Sequence, residues 1–193
     1  MAEDIYSRKI VGWEVHERQN AEYASGLIRK GYLAEGIRRK GLVLHSDNGS
    51  PMRGATMLAT LHKLGIVPSF SRPSVSDDNP YSESLFRTLK YCPAYPDKPF
   101  EGIEQARRWV HRFVHWYNLE HRHSAIGYVT PSQRHTGQDT ALLEERHKLY
   151  EAAKASNPQR WSGKTRNWKR VDEVWLNPPG EIRAREQKVF KLP

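Results

Sequence analysis

Two carboxylates, Asp47 and Glu83, stand out among the side chains able to do chemistry, with 35 residues between them. Asp47 follows an apolar run at residues 42–45, and Glu83 follows Asn79 and Pro80 at the start of a predicted helix. Carboxylate oxygens from two separate elements are the ligands that Mg²⁺ prefers, with water and substrate phosphates completing its octahedron. The pair therefore indicates a divalent cation site suited to phosphoryl transfer.

Each carboxylate also has an ordinary structural interpretation. Asp47 precedes Asn48 and Gly49, a sequence typical of turns in which an aspartate accepts a hydrogen bond from its own backbone. Glu83 in a first helical turn complements the helix dipole. Two-metal sites usually hold their ions, about 4 Å apart, with more carboxylates than these two, so a third acid must be sought.

The elements that would position these residues alternate between strands and helices. Short β-prone runs at residues 10–15, 42–45 and 66–71 predict strands. Apolar residues at helical spacing predict helices at residues 20–40, 55–64, 81–89, 100–120 and 142–155. Such alternation is typical of an α/β layered domain, in which chemistry collects beyond the ends of the strands. Asp47 falls at such an end, after a strand that the apolar run predicts to be buried.

Composition points to one main domain and a polyanionic partner. The chain has 193 residues, 37% of them hydrophobic, enough for one core at residues 1–137 and an appendage at residues 138–193. Its formal net charge of +9 is spread along the sequence, as in nucleic-acid-binding proteins. The single Cys92 excludes an intrachain disulfide framework and a cysteine-rich zinc site.

Targeting and membrane signals are not found in the sequence. Charges are spread through the first 15 residues, and no run of 18 uncharged apolar residues occurs. We expect a soluble, cytoplasmic protein without membrane contact.

The predicted helix at residues 100–120 carries cations on the face opposite its apolar stripe. Arg107, Arg108 and Arg112 suit either a DNA-backbone contact or a solvated charged face. His111 and His115, four residues apart, have a spacing able to bind zinc. Without a glutamate between them in the zinc-protease pattern, we favour a solvated or DNA-facing helix.

Tryptophans recur at seven-residue spacing in the C-terminal region, at Trp161, Trp168 and Trp175, among lysines and arginines. Interleaved aromatic and cationic residues can form a nucleic-acid-binding surface. Large aromatic side chains more often bury their area, so we favour tryptophans that anchor this region to the core.

Together these motifs resemble the retroviral-integrase-type catalytic core of bacterial insertion-sequence transposases, most closely the second-frame transposase of the third insertion-sequence family. The resemblance covers residues 4–137. It rests on four segments: Asp4 to Trp13, His45 to Ser50, Asp78 to Phe86 with Lys90, and Trp116 to Pro131 including Arg122. Unrelated sequences would rarely show four such segments in this order and at this spacing.

The resemblance implies an RNase H-like fold, dependence on Mg²⁺ or Mn²⁺, and cleavage and rejoining of DNA at insertion-sequence ends. Asp47 and Glu83 would be the second and third metal-binding, catalytic carboxylates. Lys90 would hold a DNA phosphate, and Arg122 would have a structural or DNA-positioning role. The implied partners are element-end and target DNA, and further copies of the chain or an intact transposase in a mixed oligomer. A nucleoid-associated location would follow.

One departure from the family pattern bears on activity. The family's first catalytic aspartate lies on a central first strand, upstream of the segment matched here by Asp4 to Trp13. Asp4 is a poor substitute because its motif places it on the next strand. We therefore expect an incomplete fold that lacks the central strand, and a truncated transposase that is catalytically inactive alone.

Two other interpretations stay open at the level of sequence. The main alternative is a noncatalytic DNA-binding or interaction module that modulates an intact transposase. It is also compatible with a decayed fragment that never folds, which a missing cooperative thermal transition would reveal.

Overall fold

The computed structural model describes residues 1–38, 41–72 and 78–176. Within these ranges lie four short strands and seven α-helices, where the sequence predicted three strands and five helices; the mixed α/β class is as predicted. The strands are β1 (Ala2–Glu3), β2 (Ile10–Gly12), β3 (Val43–Ser46) and β4 (Val67–Phe70). The helices are α1 (Ala21–Ala34), α2 (Ser50–Arg53), α3 (Ala55–Leu64), α4 (Pro80–Tyr91), α5 (Ile103–Leu119), α6 (Pro131–His135) and α7 (Asp139–Ser156). Single 3₁₀ turns lie at Ser124–Ile126 and Pro158–Arg160.

The first two strands form an antiparallel hairpin whose turn is built around Asp4. The Asp4 carboxylate accepts hydrogen bonds from the Tyr6 and Ser7 backbone N–H groups at 3.3 and 3.2 Å. Asn118 of α5 closes the outer edge of β2. Its Oδ1 accepts from the Ile10 N–H at 2.9 Å, and its Nδ2 donates to the Ile10 carbonyl at 3.0 Å.

The other two strands form a separate parallel pair joined by a helical crossover. Val43 lies opposite Val67, and Ser46 lies opposite Phe70. α3 ends at Gly65, whose φ of 68° lies in the left-handed region that glycine adopts without strain. The sequence predicted this helix end correctly.

The burial predicted for β3 is wrong. Leu42 and Val43 are 41% and 57% exposed, and Val67 on the neighbouring strand is 53% exposed. A parallel sheet is normally covered on both faces, but in the described part of the chain no element covers this end of the pair. The apolar run at residues 42–45 predicted the strand correctly but predicted its burial incorrectly.

Several boundaries also differ from the prediction. The predicted strand at residues 10–15 shrinks to Ile10–Gly12, and β1 precedes it. The predicted helix at residues 20–40 ends at Ala34, two residues before Gly36 takes a φ of 58°. Between the predicted helices at residues 100–120 and 142–155 lies α6, which the sequence did not predict and which starts with Pro131 and a capping box.

Among the described residues, those that are buried fall into three clusters and not into one core. The first joins the hairpin to α4 and α5 through Ile10, Leu85, Trp109, Val110, Phe113, Val114 and Tyr117. The second joins α1, α3 and the parallel pair through Met57, Leu61 and Ile66. The third lies in the C-terminal region and comprises Ile126, Val129, Leu143 and Trp168. The two sheets therefore belong to different clusters.

Candidate active site

Asp47, Glu83 and Lys90 line one open cleft of about 830 Å³. Asp47 lies directly after β3, Glu83 on the first turn of α4, and Lys90 on the last turn of the same helix. All three side chains are exposed to solvent. The fold thus brings together the two predicted carboxylates and the predicted phosphate-binding lysine.

The turn after β3 holds the Asp47 carboxylate in place. The Gly49 backbone N–H donates to Asp47 Oδ1 at 3.1 Å, as the turn sequence predicted. A Cβ at position 49 would lie 3.1 Å from the same oxygen, so a larger residue would crowd it. Asn48 Nδ2 donates to the Ser71 carbonyl at 2.7 Å, which ties the turn to the end of β4.

Helix α4 presents Glu83 at the opposite side of the cleft. The helix starts at Pro80, whose fixed φ suits a first helical position. The Glu83 N–H donates to the Asn79 carbonyl at 3.2 Å. Asn79 occupies the N-cap position of α4, and its side chain makes no capping hydrogen bond.

An ion pair that sequence reasoning missed anchors the start of this helix. Asp78 is 1% exposed and accepts from the Arg72 N–H at 2.7 Å and from Arg72 Nη2 at 2.6 Å. These hydrogen bonds, the side-chain ones first, lower the pKa of Asp78 to about 2. The available sequence signal was an aspartate directly before the Asn-Pro helix start.

Further polar residues next to the cleft were also missed. His45, two residues before Asp47, lies between the hydroxyls of Ser69 and Ser71, with its ring nitrogens at 3.0 and 3.3 Å. Arg87, one turn after Glu83, lines the cleft beside Lys90. The histidine links β3 to β4 where both strands end.

The other predicted DNA-binding arginines lie away from the cleft. Arg107 donates to the Val15 carbonyl at 3.2 Å and pairs with Glu104 at 2.6 Å. Arg108 and Arg122 are exposed. Arg112 lines a separate apolar pocket of about 330 Å³ with aromatic residues of α5.

The oxygen donors of the cleft suit one Mg²⁺ or Mn²⁺ ion, since Mg²⁺ is commonly bound by one or two carboxylates plus substrate phosphates and water. Asp47 and Glu83 would hold that ion. Across residues 1–38, 41–72 and 78–176, no group of three or more His, Cys, Asp or Glu side chains is arranged to hold a metal. The described cleft thus provides two carboxylates and no third.

Asp4 does not supply the third carboxylate. Its oxygens are engaged in the hairpin turn, where the Ser7 hydroxyl donates at 2.5 Å, and one oxygen lies 3.3 Å from His135 Nδ1. Asp4 is not among the residues lining the cleft. This position agrees with its poor match to the family's first aspartate in the sequence.

His111 and His115 do not converge on a common partner. The His111 ring lies against Trp13 at 6.0 Å, and His115 Nδ1 lies 3.8 Å from Glu120. Both side chains are exposed. Their placement fits the solvated helix face.

The C-terminal region is anchored mainly by one tryptophan and one arginine. Trp168 is 7% exposed in the third cluster, whereas Trp175 is 42% exposed. Arg134, 1% exposed, donates to the Tyr6 carbonyl at 2.7 Å and to the Val171 carbonyl at 2.5 Å. Anchoring by tryptophan therefore applies to Trp168, applies in part to the half-buried Trp161, whose ring lies edge-on to Tyr150 at 6.0 Å, and does not apply to Trp175.

A cluster of buried ionisable groups lies beside the hairpin. Burial raises the pKa of Glu3 to about 8, and its Oε2 has no hydrogen-bond partner among the described residues. Burial, and then the charge of Glu3, raises the pKa of Tyr117. Burial, with the Arg8 and His121 charges, lowers the pKa of His123 to about 4. Glu3 was not singled out in the sequence, because nothing in its spacing marks it.

In the described ranges of the chain, no helix is both long and apolar enough to cross a membrane. This agrees with the absence of long apolar runs noted in the sequence.

Two family models, both described as Integrase core domain, match the sequence at residues 2–76 and 64–131. The transposase for insertion sequence element IS904 of Lactococcus lactis is 31% identical over 132 residues, which are 66% of this chain and 50% of that protein. Transposase InsF for insertion sequence IS3A of Escherichia coli is 28% identical over 131 residues, 67% of this chain and 45% of that protein. The structure also matches the catalytic core domain of BIV integrase, with a TM-score of 0.46 and 23% identity, over 74% of this chain and 86% of that one.

The chain spans about half the length of the two transposases that it matches. The matching models together cover residues 2–131, the region that holds both sheets and the cleft. The predicted resemblance to an integrase-type core is confirmed, and the chain belongs to the integrase core domain family, with insertion-sequence transposases among its relatives.

Proposed function

We propose that this chain acts in DNA strand cleavage and transfer at insertion-sequence ends, with Asp47 and Glu83 holding a divalent cation beside the reacting phosphate. The observation that carries the proposal is the shared cleft, where two carboxylates from different elements lie with Lys90 and Arg87. Carboxylates bind the cation, while the cationic side chains attract the DNA phosphates that complete its coordination.

Different parts of the chain would hold the two carboxylates and the DNA phosphate. The turn at Gly49 holds the Asp47 carboxylate, and the helix start anchored by Asp78 holds Glu83. Lys90, two helical turns after Glu83, holds a phosphate next to the carboxylates. When bound, Mg²⁺ or Mn²⁺ supplies Lewis-acid activation of the attacking and leaving oxygens.

We further propose that the described cleft is catalytically incomplete by itself. Sites of this chemistry usually use a third carboxylate, and the described cleft offers two. The chain alone would then bind DNA and a cation without cutting or joining DNA. Turnover of a DNA end by the purified chain with Mg²⁺ would refute this part of the proposal.

More distant cations would extend the DNA path. We propose backbone contacts by the exposed residues Arg108, Arg112 and Arg122, and a weaker one by Arg107, which is already engaged with Glu104. Mixed oligomers with an intact transposase would supply a complete cleft and would place the chain at the nucleoid.

The test combines a cation titration with DNA binding. Asp47→Asn and Glu83→Gln should each weaken Mn²⁺ binding at least roughly tenfold, about 1.4 kcal/mol, while binding of duplex DNA persists. Asp97→Asn, a change of the same type at an exposed acid outside the cleft, is the matched control. Unchanged Mn²⁺ binding in both cleft variants would contradict the proposed site.

The second candidate function is a noncatalytic DNA-binding module, favoured by the two-carboxylate cleft. The two functions separate when the chain is mixed with an intact transposase of its own insertion sequence. If the chain contributes its cleft, Asp47→Asn should lower strand transfer in the mixture relative to the parent chain. If it acts only as a module, Asp47→Asn and the parent chain should have the same effect.

A further inference from the structure

Helix α4 carries a large aromatic side chain, Phe86, on the face that does not pack against the core. Leu85 is 3% exposed and packs with Leu89 in the first cluster, so these two residues supply the core face of the helix. Phe86 belongs to none of the three clusters, is 46% exposed and lines the cleft. Core packing among the described residues therefore does not account for a phenylalanine at position 86.

The ring of Phe86 lies beside the Glu83 carboxylate. Side chains three and four residues apart on a helix are neighbours, with Cβ atoms about 5–6 Å apart. A helical side chain also leans toward the N-terminus and covers the turn before its own Cα. Phe86 thus covers the turn that holds Ser82 and Glu83, and Lys90 leans toward Phe86. Along the helix, the ring lies between the proposed cation site and the proposed phosphate-binding lysine.

Cations and a second aromatic residue continue the same row. Arg87, Lys90 and Tyr91 line the cleft with Phe86, and Tyr91 is 79% exposed. One exposed apolar side chain is ordinary, but two aromatic rings among cations in one cleft are a specific combination. Grooves of this composition bind nucleic-acid strands by placing phosphates on the cations and stacking bases on the rings. The cleft therefore has a place for a base as well as for a phosphate.

A ring that stacks on a base requires a base whose face is free. Within a duplex, the neighbouring base pairs cover both faces of each base, so a side chain gains access only to a base that has left the stack. The cost of leaving the stack is smallest for a base that is already unpaired or mismatched. Phe86 thus suits an unpaired nucleotide next to the phosphate at the cation site.

We propose that Phe86 is a positioning residue that stacks on one unpaired base at the DNA end, beside the reacting phosphate. The inference rests on the proposed function, because it takes DNA in the cleft as its starting point. It adds the form of DNA that the cleft accepts, which is a frayed or single-stranded end and not a fully paired one. Because stacking engages the face of any base, the preference is for an unpaired nucleotide and not for a particular base.

Binding of two matched DNA hairpins to the full 193-residue chain tests the proposal. The hairpins have the same length, and the open end is fully paired in one and mismatched at its terminal positions in the other. Fluorescence anisotropy without divalent cations makes the result independent of cation binding by Asp47 and Glu83. The parent chain should bind the mismatched end roughly tenfold more tightly than the paired end.

Photocross-linking identifies the contact itself. 5-Iodouracil replaces the terminal unpaired nucleotide, and irradiation joins it to an aromatic side chain stacked on it. Mass spectrometry should locate the cross-link at Phe86 with the mismatched hairpin, and the paired hairpin should give little product. A purely structural role of the ring would not produce this cross-link.

Substitutions at position 86 separate the ring from its apolar bulk. Phe86→Leu keeps an apolar, helix-forming residue but removes the ring, so it should weaken binding of the mismatched end roughly tenfold and leave the paired end unchanged. Phe86→Trp keeps an aromatic face and should retain the preference. Tyr23→Leu, at a position of α1 that is also 46% exposed but lies outside the cleft, is the matched control and should behave as the parent.

The results that overturn this inference differ from those that overturn the proposed function. Equal affinity of the parent for the two ends, or a preference retained in Phe86→Leu, would contradict stacking while Mn²⁺ binding at the carboxylates stands. Equal cross-linking of the paired hairpin would contradict it too, since the ring would then cover an intact terminal pair. A Phe86→Leu effect that accompanies a changed oligomeric state in sedimentation would assign the ring to a contact between copies. Failure to bind either hairpin would overturn both proposals.

Discussion

Replacing Glu3 with glutamine should make the protein markedly less sensitive to rising pH. The Glu3 carboxyl is buried beside the hairpin, and burial raises its pKa from 4.5 to about 8. Between those values the folded protein binds a proton that the unfolded chain has released. The stability associated with this group is therefore fully present below pH 4.5 and is lost as the pH rises toward about 8.

The size of the effect follows from the interval between the two pKa values. Each pH unit within it changes the free energy of unfolding by about 1.4 kcal/mol. The full interval corresponds to an upper limit of about 5 kcal/mol, of which about 2 kcal/mol falls in the last 1.5 units. Glutamine has nearly the same shape and no charge to desolvate, so Glu3→Gln should gain stability relative to the parent over that range.

The assay is urea unfolding of parent and variant from about pH 5 to about pH 8. The quantity to follow is their difference, because other groups titrate in the same range. Burial lowers the pKa of His123 to about 4, so the stability that this group contributes is lost as the pH falls. Burial also lowers the pKa of the Met1 amino group. Both contributions are common to the two proteins.

Glu17→Gln, the same change at an exposed glutamate, is the control and should follow the parent. The variant-minus-parent difference should grow steadily with pH. A difference that stays flat within about 0.5 kcal/mol would refute the burial argument.

Three further substitutions test how the scaffold is held. Asn118→Ala should cost about 2 kcal/mol of unfolding free energy, because it removes both hydrogen bonds to Ile10 at the outer edge of β2. An unchanged midpoint of urea unfolding would contradict this. Gly65→Ala should cost about 1 kcal/mol from backbone strain alone, since no atom lies within 4 Å of a Cβ there; a stabilised variant in thermal unfolding would contradict the left-handed helix end. Arg134→Met should lower the free energy of unfolding by roughly 3 kcal/mol or more, because buried Asp139 then keeps only one of its two arginine partners. The double variant Arg134→Met with Asp139→Leu should recover part of that loss in the same assay.

The sequence predicted those parts of the fold whose causes are local. Gly65 ends a helix because of its own backbone freedom, and Pro80 starts one because of its fixed φ. Asp47 and Glu83 could be placed on a strand end and a first helical turn for the same reason. Their meeting in one cleft was implied by the family resemblance and is a property of the folded chain.

The errors concern contacts made over long distances in the chain. The apolar run at residues 42–45 predicted burial, but burial depends on a neighbour that no local pattern specifies. Arg134 and Asp139 were not singled out in the sequence, yet both are buried, in contact with Tyr6, Arg170 and Val171. Glu3 belongs to the same class, since its pKa depends on what packs above the hairpin.

The cation site formed by Asp47 and Glu83 is tested most directly by Mn²⁺ titration followed through the backbone amide signals of the 193-residue chain. Mn²⁺ should broaden first the signals of Gly49, whose N–H donates to Asp47, and of Glu83, and Asp47→Asn should abolish this selectivity. Broadening centred elsewhere, or identical broadening in Asp47→Asn, would contradict the proposed site.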